Sequence, residues 1–332
     1  MARHPIGRLA CVAADLSSPT TLRLKPHAAL RFVVKSNLHT QSQGLWLAAL
    51  AVTLFALTIP VTRLAVGAEG APQLSGIFVA TARASLAAVF SAIFLWMTKA
   101  KRPTWHEWQL LGLVALGVVF GFPVLMSVAM RHVPAVHASV VLGILPLATA
   151  VGGALLHRQR PSPAFWLCAV AGAVLLVLFS LLRHEGQISA LAWADGLLAL
   201  GMLCAAAGYA FGALLSQTMR ADHVICSALL LSFPLNLPIA LWTWPQSPIE
   251  SSAWFGLLYL ALFSQWLGFF AWYRALATGG TVRTSQVQLL QPFLSMLFAV
   301  PILGEQLDLM SAMFALAVIA TVFFGRRMPV RS

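Results

Sequence analysis

One feature constrains this chain more than any other. Apolar blocks of about 20 residues recur along it, set apart by short turns rich in Pro, Gly or basic side chains. A helix needs about 20 mainly apolar residues to cross about 30 Å of hydrocarbon. No water is present there to satisfy backbone N–H and C=O groups, so only helices and closed barrels can span it. Blocks of the required length lie at about 44–66, 73–97, 108–130, 135–157, 163–182, 193–217, 223–244, 253–277, 281–303 and 307–325. The expected fold is therefore an all-α polytopic membrane protein with ten transmembrane helices. The connections are too short to hold a soluble domain between them.

Composition excludes the competing classes. Hydrophobic residues make up 60% of the chain and charged residues 9%, against about 45–50% and roughly 25% in a soluble domain. A formal net charge of +12 often marks a nucleic-acid binder, but these basic residues sit between apolar blocks rather than in one patch, so no nucleic-acid partner is expected. They read instead as orientation signals. With the N-terminus placed in the cytoplasm, only Arg63, Arg131 and Arg183 fall on the outer side, and Arg83 and Arg274 lie within spans. Every other Lys and Arg faces inward, which puts both termini in the cytoplasm. The bilayer is the implied partner, and a bacterial inner membrane the expected location. Cys11, Cys168, Cys204 and Cys226 are scattered, so neither a disulfide framework nor a metal centre is expected, and no cofactor.

Residues 1–43 differ in kind: basic, nearly free of acid, and without a long apolar run. A solvated tail, or translated sequence upstream of the true start, fits them best; a cleaved secretory signal does not, while the Arg-rich composition also suits an organelle transit peptide. The expected organisation is this tail, a first five-helix unit over 44–182, a second over 193–325, and a short basic tail over 326–332.

The two units share a plan. A shift of 146 residues lays Ala129 on Ala275, Val136 on Val282, Ser139 on Ser285 and Pro146 on Pro292. Each segment closes a span, turns tightly and enters another span with a proline midway, where a kink and a gating point are expected. Five spans is an odd number, so the second unit would be inserted upside down relative to the first. Two inverted five-helix repeats with a site at their interface are a recurring carrier architecture.

Specific residues carry a family resemblance. Tyr273-Arg274-Ala275-Leu276, then Gln291-Pro292-Phe293, then Leu303-Gly304-Glu305-Gln306 resemble the EamA-type transporters of the drug/metabolite transporter superfamily. The first unit offers Ala129-Met130-Arg131-His132-Val133-Pro134-Ala135 and Leu145-Pro146-Leu147 in matching places, and Arg83 looks like that family's arginine of the second span. The resemblance covers about 44–325. It departs where the first unit should carry a Gly-Glu pair and has His157-Arg158-Gln159-Arg160 instead. It implies ten helices, a central cavity and export of small metabolites, often amino acids or related compounds.

Ionisable and polar side chains within spans demand a reason. Arg83, near mid-depth, would read a carboxylate or other anion with bidentate geometry, or would donate to backbone carbonyls of a neighbouring helix. Thr284, Gln288, Gln291 and Ser295 fall on one face of the ninth span, with Gln286 opposite. Under the 146-residue shift they replace Ala138, Leu142, Leu145 and Thr149, so the polar stripe belongs to the second unit alone and reads as a cavity lining. Gln265 and Trp266 of the eighth span are candidate cavity walls, whereas Trp272 and Tyr273 are expected in an interfacial belt. Tyr209 lies between Gly208 and Gly212, a spacing that usually means close helix packing. His137, near the start of the fourth span, reads first as an interfacial histidine with its hydrogen bonds satisfied; it is also the titratable group best placed to couple protons, and without such coupling transport would be facilitative or exchange-driven.

The expected activity is a secondary carrier exporting an amino acid-like or other zwitterionic or anionic solute by alternating access, with that solute as its small-molecule partner. A multi-pass membrane enzyme and a non-transporting scaffold are the alternatives. No HExxH, GxSxG or clustered His/Asp pair marks a catalytic centre.

Overall fold

The computed structural model describes residues 43–156, 160–183, 191–279, 287–327 and 330–331. They are mostly helical. In chain order the helices are α1 (Gln43–Val66), α2 (Gly76–Met97), α3 (Trp105–Ala129), α4 (Ala135–Leu142, resuming as Leu145–Leu156), α5 (Pro163–Arg183), α6 (Leu191–Leu215), α7 (Ala221–Trp242), α8 (Ser251–Thr278), α9 (Gln288–Leu303) and α10 (Leu309–Arg327). Among the described residues, α1, α2, α3, α7 and α8, together with Trp193–Leu215 of α6, are long and apolar enough to cross a membrane; shorter apolar stretches lie at Ala135–Thr149, Gln288–Leu303 and Leu309–Thr321. Two antiparallel ladders of two-residue strands qualify the all-α expectation: β1 (Gly67–Ala68) with β2 (Ala71–Pro72), and β3 (Arg160–Pro161) with β4 (Val330–Arg331).

Local chemistry sets the ends of these helices. The Ser75 hydroxyl accepts the Phe78 N–H to start α2, and Thr104 with Glu107 forms a reciprocal capping box on α3. Gly67 (φ 72°) closes α1 and Gly304 (φ 68°) closes α9, both in the left-handed region that favours glycine. The prolines expected to kink the fourth and ninth spans do something simpler. Turns at Gly143–Ile144 and a 3₁₀ turn at Gln288–Leu290 interrupt those helices first. Pro146 and Pro292 then sit in the first turn of the resumed segment, where a missing N–H has no partner to lose.

Packing repeats the internal plan. α3 contains a π-helical segment, Ala115–Gly121, and α8 contains another, Leu260–Leu267. The 146-residue shift superposes them to within a residue, and it also superposes the breaks before the two prolines. The helix contacts follow the same exchange: α6 packs on α3 and α4 as α1 packs on α8 and α9, while α2 pairs with α7, α4 with α9 and α5 with α10. Exchanging the two units carries this pattern onto itself.

The outer faces are apolar. Trp46, Trp96, Trp105 and Trp242, all near helix ends, are 77–87% exposed, as an aromatic belt at the membrane–water boundary requires. Trp272 and Tyr273, expected in that belt, are instead fully buried: the Tyr273 hydroxyl donates to the Gly208 carbonyl at 3.1 Å. Its ring stands against Gly212, and Gly208 meets Val118 of α3, so the small residues of α6 serve close packing as their spacing implied.

Candidate functional site

Arg83 lies midway along α2, 1% exposed. Its Nε and one terminal nitrogen have no hydrogen-bond partner among the described residues. A buried guanidinium left this way is expensive and calls for an anionic partner. It borders a narrow space of about 10 Å³, room for roughly a single water. The other walls are Phe55 and Thr58 (α1), Phe122 (α3), Leu145 (α4), Tyr209 (α6), Ser264, Gln265 and Phe269 (α8) and Gln291 (α9). Helices of both units thus converge on this buried guanidinium.

Four residues expected from the sequence meet at this space: Arg83, Tyr209, Gln265 and Gln291. Leu145 and Gln291 are partners under the 146-residue shift, so the same position contributes an apolar wall from one unit and an amide from the other. The Gln291 Oε1 is buried without a partner, and so are both amide atoms of Gln288, one turn away. The Gln265 amide donates to the Val118 carbonyl at 3.0 Å. Phe55 gathers Tyr209, Phe269 and Trp272 around it, with ring centroids 6.4, 5.1 and 6.3 Å away. Aromatic faces therefore form the apolar side of the space.

Other expected residues go elsewhere. The Ser295 hydroxyl donates to the Ala56 carbonyl at 2.7 Å and ties α9 to α1. Trp266 packs on Phe90, Phe94 and Phe270, away from the Arg83 space. Thr284 and Gln286 lie outside the described residues. His137 is buried on α4, with its Nε2 2.6 Å from Asp195 Oδ1 on α6.

Sequence reasoning missed Thr58 and Ser264, whose hydroxyls are 2.8 Å apart across the α1–α8 contact. Isolated hydroxyls on apolar helices give no signal, and only tertiary packing joins them. It also missed Asp195 as a partner of His137, because the two are 58 residues apart. Among the described residues, no group of three or more His, Cys, Asp or Glu side chains is placed to hold a metal ion.

The two ends of the bundle differ. Where α4 begins, Glu305 accepts the N–H groups of Ala135 and Val136 at 2.8 and 2.7 Å. Arg63 donates to the Met130 carbonyl, Arg131 donates to the Leu74 carbonyl at 2.8 Å, and His132 pairs with Glu69. At the opposite end a recess of about 400 Å³ is lined by Ser216, Arg220, Asp222, Phe270 and Arg274. Two hydrogen bonds from Arg220 to the Asp222 carboxylate hold that guanidinium's pKa above its ordinary value.

Comparison with known proteins gives consistent results. The model of the EamA-like transporter family matches twice, over residues 42–181 and 192–325. An uncharacterized transporter of Bacillus subtilis (strain 168), YdeK, is 39% identical over 278 residues, covering 83% of this chain and 94% of that protein. One solved crystal structure aligns over 86% of this chain and 96% of its own, with a TM-score of 0.61 and 15% identity, and shares the fold.

Proposed function

Because this chain belongs to the EamA-like transporter family, we propose that it is a secondary carrier that exports a small anionic or zwitterionic metabolite across a bacterial inner membrane. In this reading ten transmembrane helices form two inverted five-helix repeats, with both termini in the cytoplasm. The end bearing Glu305 faces outward and the recess bearing Arg274 faces the cytoplasm. The doubled family match, the paired π-helical segments and the exchange symmetry of the contacts support it.

The observation that carries the reading is Arg83: a buried, incompletely paired cation facing a narrow space walled by helices of both units. A solute entering from the cytoplasmic recess parts the helices around that space. Its negative group pairs with the guanidinium, its donor group meets the free acceptor of Gln291, and its apolar body lies among Phe55, Phe122, Tyr209 and Phe269. Rocking the units about this site then exposes the solute to the opposite side.

A thermal-shift screen in detergent tests this. Amino acids and small organic acids are added to the wild type and to Arg83→Ala, since a ligand that binds only the folded state stabilises it, by about 2.7 kcal/mol at a hundred times Kd. The expected result is stabilisation by solutes carrying a carboxylate that is lost in the variant. Stabilisation of equal size in both proteins overturns the assignment of Arg83.

A further inference from the structure

The chain holds nine acidic residues. Asp15 and Glu185 lie outside the described residues; the other seven stand in connections or within the first five residues of a helix. Asp195 reaches furthest into its helix, yet it precedes Tyr209 on α6 by fourteen residues, about 21 Å of helix. None of the seven borders the Arg83 space. The walls of that space carry one formal charge, the guanidinium, and every other polar side chain on them is a neutral hydroxyl or amide. The Thr58 and Ser264 hydroxyls satisfy each other at 2.8 Å, and the Gln265 amide is taken up by the Val118 carbonyl. The Gln291 Oε1, by contrast, has no partner among the described residues. Leu145 and the rings of Phe55, Phe122, Tyr209 and Phe269 complete the walls.

We infer that this site selects solutes with a single negative charge and an apolar, aromatic body: monocarboxylates, and neither α-amino acids nor dicarboxylates. The inference deepens the carrier reading and rests on its assignment of Arg83 to the solute. One carboxylate neutralises one buried guanidinium. A dicarboxylate brings a second negative charge among aromatic rings, where no cation on the walls meets it and its lost hydration is not restored.

An α-amino acid fails for the converse reason. Its ammonium is on the carbon beside the carboxylate, so pairing the carboxylate with Arg83 draws two cations together. No wall residue supplies a carboxylate to receive that ammonium. The ring faces attract a cation, but this attraction is weak beside the cost of desolvating an ammonium next to a fixed like charge. The free acceptor of Gln291 suits a neutral donor instead: a hydroxyl on the same carbon satisfies it without adding charge. A 2-hydroxy acid with an aromatic side chain therefore matches the cation, the acceptor and the rings together.

The test compares three solutes with one phenyl body and different charge: 3-phenyllactate, singly negative; phenylalanine, a zwitterion; and benzylmalonate, doubly negative. Each is titrated calorimetrically at neutral pH into the full chain in lipid nanodiscs, as wild type, Arg83→Met and Gln291→Glu. The wild type should bind 3-phenyllactate at least about tenfold more tightly than either of the others, and Arg83→Met should lose that binding. Gln291→Glu adds a carboxylate to the walls and should shift the ratio of affinities toward phenylalanine by at least about tenfold. Phenylalanine or benzylmalonate binding the wild type as tightly as 3-phenyllactate, with binding lost in Arg83→Met, overturns the charge selection and leaves the Arg83 site standing. Binding of 3-phenyllactate that survives Arg83→Met overturns both. An unchanged ratio in Gln291→Glu, or no binding of 3-phenyllactate to the wild type, also overturns the selection.

Discussion

The Gln265 side chain donates to the Val118 carbonyl across the α3–α8 contact, and both residues lie inside π-helical segments. A π segment shifts the backbone hydrogen-bond register and leaves carbonyl groups without their usual partner. The amide of one irregular segment thus satisfies the backbone of the other, and two local defects become one inter-unit fastening. Gln265 borders the Arg83 space, but this bond makes it part of the frame as well as part of the wall.

Gln265→Met keeps the volume and removes the donor, leaving the Val118 carbonyl buried and unpaired. The expected loss is about 1–3 kcal/mol, read as a lower thermal midpoint in detergent. An unchanged midpoint would show that water replaces the amide and that the fastening is not structural.

Arg83→Met should behave in the opposite way. Replacing a buried, poorly paired charge by an apolar chain of similar length is often neutral or stabilising, so the midpoint without solute should hold or rise. Binding of a carboxylate-bearing solute should weaken at least about 30-fold, the equivalent of about 2 kcal/mol. Calorimetric titration beside thermal melting checks both halves; a variant that unfolds easily would make Arg83 a structural residue.

Gln288→Leu removes two buried amide atoms that have no partner, and should stabilise the protein by about 1 kcal/mol or more. If those atoms serve the solute, the same change lowers solute affinity while the midpoint rises. A fall in both would place Gln288 in a structural contact instead.

Gly212→Ala would set a Cβ 2.2 Å from the Tyr273 ring, and Gly208→Ala one 2.5 Å from Val118 Cγ1. Overpacking of this kind costs about 1–3 kcal/mol. Gly112→Ala, where a Cβ meets nothing within 4 Å, should gain up to about 1 kcal/mol from helix propensity. Melting curves of the three variants should therefore separate to opposite sides of the wild type, and coinciding curves would refute the close approach of α6 to Tyr273.

The helices were legible because block length against bilayer thickness is a strong constraint; the observed ends fall within a few residues of those read from the sequence, except at the start of the ninth span, where residues 281–286 lie outside the described residues. The π segments were not, since Ala115–Gly121 and Leu260–Leu267 have the composition of ordinary apolar helix. Arg83 and Gln291 announced themselves as polar groups in hydrocarbon. Phe55 and Phe122 could not, because an aromatic residue facing a site and one facing lipid look alike in sequence. Tyr273 misled for the same reason, lying near a helix end but turning its hydroxyl inward to Gly208. Asp195 gives no signal in the sequence, and only packing sets His137 against it. Thr284 lies outside the described residues and stays an expectation.

The narrow space beside Arg83 admits hardly more than one water. An unbroken file of water would conduct protons and let small ions drain the voltage that a bacterial membrane maintains. An aromatic plug around a fixed positive charge does the reverse: a cation arriving there must shed its hydration and face a like charge. On the proposed carrier reading, this packing would keep the bundle an electrical insulator while solute passes.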